Sequence, residues 1–153
     1  IGFHAQRLNL LSPAIIPVAY MIAMIVDAFA ALFFGKLFDK LGIGVLALST
    51  FISAFYGIFS FGNSGTFIMV GSILWGIGMG AQESIMKAAV AKLVEKEKRA
   101  TAYGFFNAVF GIAWFVGSAL LGILYSISIR GLIIVSVISE LTAVVIFIMI
   151  RKK

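Results

Sequence analysis

Acidic residues inside long apolar stretches are the residues of this 153-residue chain best able to do chemistry. Asp27, Glu83 and Glu140 each stand in such a stretch. A charged side chain at the centre of a membrane helix costs about 2.5–3.5 kcal/mol on insertion scales, so its presence there needs a reason. A carboxyl group in that setting can exchange a proton or face a cation. Asp27 and Glu140 are therefore candidates for proton coupling or for contact with a substrate.

Each acid also has a simpler structural interpretation. A buried carboxyl group hydrogen-bonded to a Ser, Thr or Tyr side chain would explain Asp27, and hydroxyl side chains also lie close to Glu140 in the sequence. Glu83 precedes Lys87 by four residues, a spacing that places both on one helix face and favours a local ion pair. We expect this pair to belong to a cytoplasmic charge cluster that also includes Lys36 or Lys40.

Two further candidates stand seven residues apart, which places them on one face of a helix. They are Asn107 and Trp114, and both can line a solute cavity together with Tyr103 and Trp75. The alternative is that the aromatic side chains pack against neighbours or anchor the protein at the membrane interface.

The composition indicates a membrane protein. Hydrophobic residues make up 62% of the chain and charged residues 12%, whereas soluble domains are roughly half apolar and a quarter charged. There is no cysteine and one histidine, His4, which we interpret as an interfacial residue near an outer loop. No phosphate-binding Gly-x-x-x-x-Gly-Lys-Ser/Thr and no Gly-x-Ser-x-Gly occurs. We therefore expect no enzyme activity, no metal and no cofactor.

Five apolar runs are long enough, or nearly so, to cross a hydrocarbon core that needs roughly 20 helical residues. They predict an all-α membrane protein with helices at about 14–38, 45–61, 66–94, 101–126 and 132–150. Strict alternation of the kind found in β-barrels is absent from these runs. Glycines recur along the third and fourth helices and predict close helix packing there: Gly71, Gly76, Gly78 and Gly80, and Gly104, Gly111, Gly117 and Gly122.

The basic residues predict the orientation, because cytoplasmic loops are enriched in Lys and Arg. If the helix ends alternate between the two faces of the membrane, ten basic residues fall on one face and two on the other. The ten are Lys36, Lys40, Lys87, Lys92, Lys96, Lys98, Arg99, Arg151, Lys152 and Lys153, and the two are Arg7 and Arg130. The C-terminus is then cytoplasmic. The net charge of +6 is explained by topology, so nucleic acid is not an expected partner.

One short polar stretch, GKLFDKLG, separates the first two predicted helices. Its Gly35, Asp39, Lys40 and Gly42 match the loop signature Gly-x-x-x-Asp-Arg/Lys-x-Gly of the major facilitator superfamily of secondary transporters, which this stretch resembles. The basic pair that ends the signature is missing here. From the residues alone, we expect the Asp39 carboxylate to accept hydrogen bonds from free N–H groups at a helix N-terminus.

A second, longer segment resembles the same family. The segment from Gly76 to Gly122 is similar to the passage in which a glycine-rich helix leads through Leu-Val-Pro-x-Glu-x-Arg-x-x-Ala-x-Gly into another such helix. The residues that match are Leu93, Val94, Glu97, Arg99, Ala102 and Gly104. Glu95 stands where the family has proline, so the third helix is expected to extend further than usual.

The resemblance implies that the chain is helices eight to twelve of a twelve-helix transporter. Residues 1–11 are then the tail of the seventh helix with an external loop, and residues 12–153 belong to the C-terminal half. Its expected partners are membrane lipid, the N-terminal six-helix half and a small solute, in the plasma membrane. A conformational gate would comprise Gly35, Asp39, Lys40, Gly42, Glu83 and Arg99. The alternatives are a non-transporting membrane subunit or a truncated remnant.

Overall fold

The computed structural model of the protein describes residues 1–151, so Lys152 and Lys153 of the predicted orientation lie outside the described residues. The helices follow in the order α1 Gly2–Arg7, α2 Ile15–Leu41, α3 Gly44–Ser53, α4 Tyr56–Ser60, α5 Gly65–Leu93, α6 Arg99–Ile127 and α7 Ile129–Arg151. A short 3-10 helix, Lys96–Lys98, leads into α6. The described chain is all helical, as the apolar runs predict.

Four of these helices are long and apolar enough to cross a membrane: α2, α5, α6 with its preceding 3-10 turn, and α7. The second predicted span is shorter and is broken into α3 and α4. The break follows Ser53, whose hydroxyl donates a hydrogen bond to the Thr50 carbonyl at 3.2 Å. That carbonyl also accepts from the Ala54 N–H at 2.9 Å. A hydroxyl that bonds back to its own helix competes with the backbone pattern and bends the helix.

The centre of the fold is the pairing of α2 with α5, which share the longest interface in the described chain. Gly76 and Gly80 of α5 lie directly against the backbone carbonyls of Ala23 and Asp27 on α2. Small residues let membrane helices approach this closely, since apolar side chains gain little by leaving lipid for one another. The glycine prediction is therefore confirmed for α5.

For α6, the same prediction is not met within the described chain. A methyl group added at Gly104, Gly111, Gly117 or Gly122 would meet nothing within 4 Å, and no residue of α6 is fully buried. A glycine pattern shows that a backbone can be approached, but it does not show which helix approaches it. Within the described chain, α6 contacts α7 and α5 loosely and leaves its glycines open.

The end of α5 differs from the prediction as well. The helix stops at Leu93, and Val94 is extended, with φ −120° and ψ 135°. Glu95 has φ −54° and ψ 146°, which is close to the polyproline conformation that a proline favours. The expected extension of the third helix was wrong because Glu95 adopts the backbone geometry of the proline that it replaces.

Candidate functional site

A cavity of about 430 Å³ lies among α3, α4, α5, α6 and α7, and Tyr56 is the residue of α4 that lines it. Two of the predicted candidates, Trp114 and Glu140, line it together. The remaining lining residues combine hydroxyl, amide and aromatic side chains with small apolar ones, and include Thr50, Ser53, Tyr56, Trp75, Gln82, Phe110, Ser118 and Ser139. A volume of this size falls within the range of about 300–1,000 Å³ typical of small-molecule sites.

The cavity exists because α6 stands away from the helices that carry the core. Two bulky side chains of α6 line the space: the rings of Phe110 and Trp114, one turn apart, meet edge to face with their centroids 5.5 Å apart. Gly78 of α5 also lines the cavity and lies against the Ser53 side chain. Because Gly78 of α5 has no Cβ, it fills little of the space that faces the aromatic rings of α6, and the cavity stays open and partly polar.

Asn107 does not line that cavity, although it was predicted to share a face with Trp114. It lines a second cavity of about 170 Å³ nearer the end of α5, with Gln82, Glu83 and Lys87. Tyr103 belongs to neither cavity, and its hydroxyl donates a hydrogen bond to the Lys87 carbonyl at 2.9 Å. Trp75, in contrast, does line the larger cavity.

Asp27 is half-buried on α2 and lines neither of these two cavities. It forms no ion pair among residues 1–151. Its backbone carbonyl lies against Gly80 at the close α2–α5 crossing. The structure thus separates the two acids that the sequence grouped as coupling candidates.

The loop signature Gly35–Gly42 lies at one end of the helix pair α2–α5. Asp39 lies in the last turn of α2, and its carboxylate accepts from the Lys92 ammonium of α5 at 3.4 Å. The same ammonium lies 4.4 Å from the centre of the Phe38 ring. Because the start of α3 has no side-chain cap, the expectation that Asp39 caps a helix N-terminus was wrong. A carboxylate in the last turn of a helix faces an unfavourable dipole, and Lys92 offsets that charge.

The two glycines of the signature are required for different structural reasons. Gly35 lies against the Ser84 hydroxyl of α5, so the two helices meet closely here too. Gly42 has a positive φ of 68°, a left-handed conformation that disfavours other residues. It ends α2 and allows the tight turn into α3. Lys40, between them in the signature, is exposed.

Other charged residues of the predicted gate make local contacts. Glu83 pairs with Lys87 at 3.7 Å, which confirms the predicted ion pair. The expected extension of that cluster to Lys36 or Lys40 is not formed among the described residues, because both lysines are exposed and in no ion pair. Arg99 donates from Nε to the Val94 carbonyl at 3.1 Å and so fixes the turn between α5 and α6.

The opposite end of the described chain is held by His4, which is buried with 1% of its surface exposed. Its Nδ1 lies 3.1 Å from the Tyr125 hydroxyl and its Nε2 lies 3.4 Å from the Gly62 carbonyl. The ring also meets those of Phe61 and Tyr125 edge to face. Burial lowers the pKa of the His4 imidazole below its usual value. Interpreting His4 as an interfacial residue missed this junction of α1, the turn before α5 and the end of α6.

Sequence reasoning also missed Lys92 as the partner of Asp39, and Tyr56 and Gln82 as cavity residues. Lys92 had a detectable signal, because it is a basic residue in the last turn of α5 and lies within the second matching segment. Tyr56 and Gln82 are polar interruptions of apolar runs, which is the same signal that selected the acids. What the sequence could not supply was the rotation of each helix about its axis.

These features are those of an all-helical, multi-pass membrane protein whose helices enclose a partly polar cavity. A sequence model of the Major Facilitator Superfamily matches residues 3–153. The chain belongs to this family of transporters.

Named relatives come from mycobacteria. The chain is 39% identical over 151 residues to the uncharacterized protein Rv2265 of Mycobacterium tuberculosis strain H37Rv and to the uncharacterized protein Mb2288 of Mycobacterium bovis. Each match covers 99% of this chain and 37% of the relative, so the chain spans little more than a third of their length. No solved structure matches the chain significantly.

Proposed function

We propose that the chain is part of a secondary active transporter that moves a small solute across the plasma membrane by alternating access. The observation that carries the proposal is the Asp39–Lys92 ion pair, which ties the family's loop signature on α2 to the end of α5. Both partners are exposed, and an exposed pair is worth only about 0–1 kcal/mol. A contact this weak can break and re-form as helices move, which suits a gate better than a structural clamp.

The proposed orientation in the membrane is based on which helix ends lie at the same end of the fold. The Asp39–Lys92 pair and the contact of Arg151 with Gly44 place the α2–α3 turn, the end of α5 and the end of α7 at one end of the helices. This is the lysine-rich end, and we propose that it faces the cytoplasm, with the C-terminus. The contacts of His4 with Tyr125 and Gly62 hold the opposite, external end together.

The open glycine face of α6 is where we expect the rest of the transporter to pack. Four glycines of α6 have no neighbour within 4 Å of an added methyl group, and α5 shows how closely such positions can pack. We propose that the chain is helices eight to twelve and that the N-terminal six-helix half packs against this face. Lipid covers the remaining apolar surface.

Coupling to an ion gradient is assigned to Asp27. It is half-buried in the α2 span, unpaired among residues 1–151, and set where α2 and α5 touch backbone to backbone. Protonation there would change the charge at the closest contact between two helices. A carboxyl group inside a membrane span that has no structural partner is a candidate for carrying a proton.

The test uses the full-length transporter in proteoliposomes with an acidic exterior. Uptake is screened with radiolabelled sugars, amino acids, carboxylic acids and amines, while an internal dye reports proton entry. We expect at least one solute to accumulate only with the pH gradient, and Asp27→Asn to abolish that accumulation while the protein inserts normally. The matched control is Glu95→Gln, which changes an exposed acid that pairs with the neighbouring Lys98 and should transport as the parent does.

Two outcomes would contradict the proposal at different levels. Gradient-driven uptake that survives Asp27→Asn would remove Asp27 from the coupling step. Absence of uptake for every solute class, from protein that is correctly inserted, would favour a non-transporting membrane subunit.

A further inference from the structure

The large cavity has an unbalanced charge. Glu140 is its single charged lining residue, and no Lys, Arg or His of residues 1–151 lines it. Glu140 also belongs to none of the ion pairs in that part of the chain. A carboxylate away from bulk water is costly without a partner of opposite charge. Since the described lining offers no such partner, a ligand that enters the cavity is the natural source of the counter-charge.

Aromatic rings surround the same space. Five of them line the cavity with Glu140 and come from four helices: Tyr56 of α4, Trp75 of α5, Phe110 and Trp114 of α6, and Phe147 of α7. The face of an aromatic ring attracts a cation within about 6 Å of its centre, and tryptophan does so best. The rings also provide apolar contact for a ligand that carries rings of its own. The lining therefore suits a positive charge attached to an apolar body.

Serine hydroxyl groups in the lining indicate which hydrogen bonds a ligand can make there. Ser53 donates its hydroxyl hydrogen to the Thr50 carbonyl at 3.2 Å, and Ser139 donates to the Val135 carbonyl at 2.7 Å. A hydroxyl has one hydrogen to donate, so towards the cavity these two side chains can only accept. This side of the cavity favours a ligand that donates hydrogen bonds.

We infer that the cavity is a binding site for a protonated organic amine that carries aromatic rings, with Glu140 as its counter-ion. The ammonium N–H groups donate to the Glu140 carboxylate and to the serine oxygens. The aromatic body packs against the rings of α5 and α6. The volume of about 430 Å³ accommodates a two-ring amine. This inference rests on the proposed transporter function for the fate of the amine, but binding itself does not depend on transport.

The first measurement compares ligands on the unchanged protein. Full-length transporter in lipid nanodiscs is titrated with tritiated diphenylpropylamine, in competition with the matching alcohol, carboxylate and quaternary trimethylammonium compounds. We expect the amine to bind at least tenfold more tightly than the alcohol and the carboxylate. The quaternary compound, which keeps the charge but has no N–H, should fall between them. Equal affinity for amine and alcohol, or no saturable amine binding, overturns the inference.

The second measurement assigns the charge to Glu140. Glu140→Gln keeps the shape and should weaken amine binding at least tenfold while leaving alcohol binding unchanged. Glu140→Asp keeps the charge and should restore part of the affinity. Glu95→Gln, the same chemical change at an exposed position outside the cavity, should bind the amine as the parent does. Amine binding that is unaltered in Glu140→Gln overturns the inference.

The two proposals fail separately. Amine that binds through Glu140 in nanodiscs but is not moved in proteoliposomes would contradict transport of this solute and leave the binding site intact. Gradient-driven uptake of another solute with no amine binding would contradict the site and leave the transporter function intact.

Discussion

At the scale of single residues, the contact that matters most is the one between Asp39 and Lys92. Their side chains are 71% and 55% exposed, so the pair adds about 1 kcal/mol or less to folding. Under the proposed alternating-access function its effect is on the balance between conformations, because a pair that exists in one of two states shifts the equilibrium by its own energy. The sequence signature identified Asp39, but it could not identify Lys92, which lies 53 positions away on another helix.

We predict that Asp39→Asn and Lys92→Gln each change the transport rate several-fold while the melting temperature in detergent stays within a few degrees. The exchanged pair, Asp39→Lys with Lys92→Asp, should recover most of the parent rate, because the attraction survives with its direction reversed. Lys98→Gln, which breaks a local exposed pair with Glu95, is the control and should transport normally. An exchanged protein that is as impaired as the sum of the two single variants would show that the ion pair does not act as a gate.

At the scale of helices, the fold depends on the α2–α5 crossing, where glycine backbones replace side-chain contacts. The glycine pattern of α5 was readable from the sequence, because apolar helices in lipid associate through small residues. The break between α3 and α4 was not, since it depends on which carbonyl Ser53 approaches. The open glycines of α6 were not predictable either, because a glycine pattern does not show whether a described helix approaches it.

We predict that Gly80→Ala destabilises the protein by about 1–3 kcal/mol, the usual cost of adding a methyl group to a filled interface. The new Cβ would meet the Asp27 carbonyl, and a backbone atom cannot rotate out of the way as a side chain can. Gly131→Ala, where the added methyl would make an ordinary contact with Ser128 at 3.5 Å, should leave the protein as stable or slightly more so. Thermal unfolding in detergent measures both. Equal melting temperatures for the two variants would contradict the close crossing.

At the scale of the whole molecule, the contacts divide the described chain into two ends. The Asp39–Lys92 pair marks one end, and the contacts of His4 with Tyr125 and Gly62 mark the other. The all-α membrane class and the family were both predictable, because composition, run length and the two matching segments agree on them. The sequence named Glu140 and Trp114 as separate candidates. It could not predict that both line one cavity, because that depends on how α6 and α7 are rotated about their axes.

The most direct test of this arrangement is labelling of single cysteines in intact cells, starting from a full-length protein without cysteines. Lys40→Cys, Lys96→Cys and Asn63→Cys replace exposed residues at the two ends and are treated with a maleimide that cannot cross the membrane. We predict that Asn63→Cys reacts in intact cells, whereas Lys40→Cys and Lys96→Cys react only after the membrane is made permeable. Reaction of Lys40→Cys and Lys96→Cys from opposite faces of the membrane would contradict the proposed cytoplasmic gate.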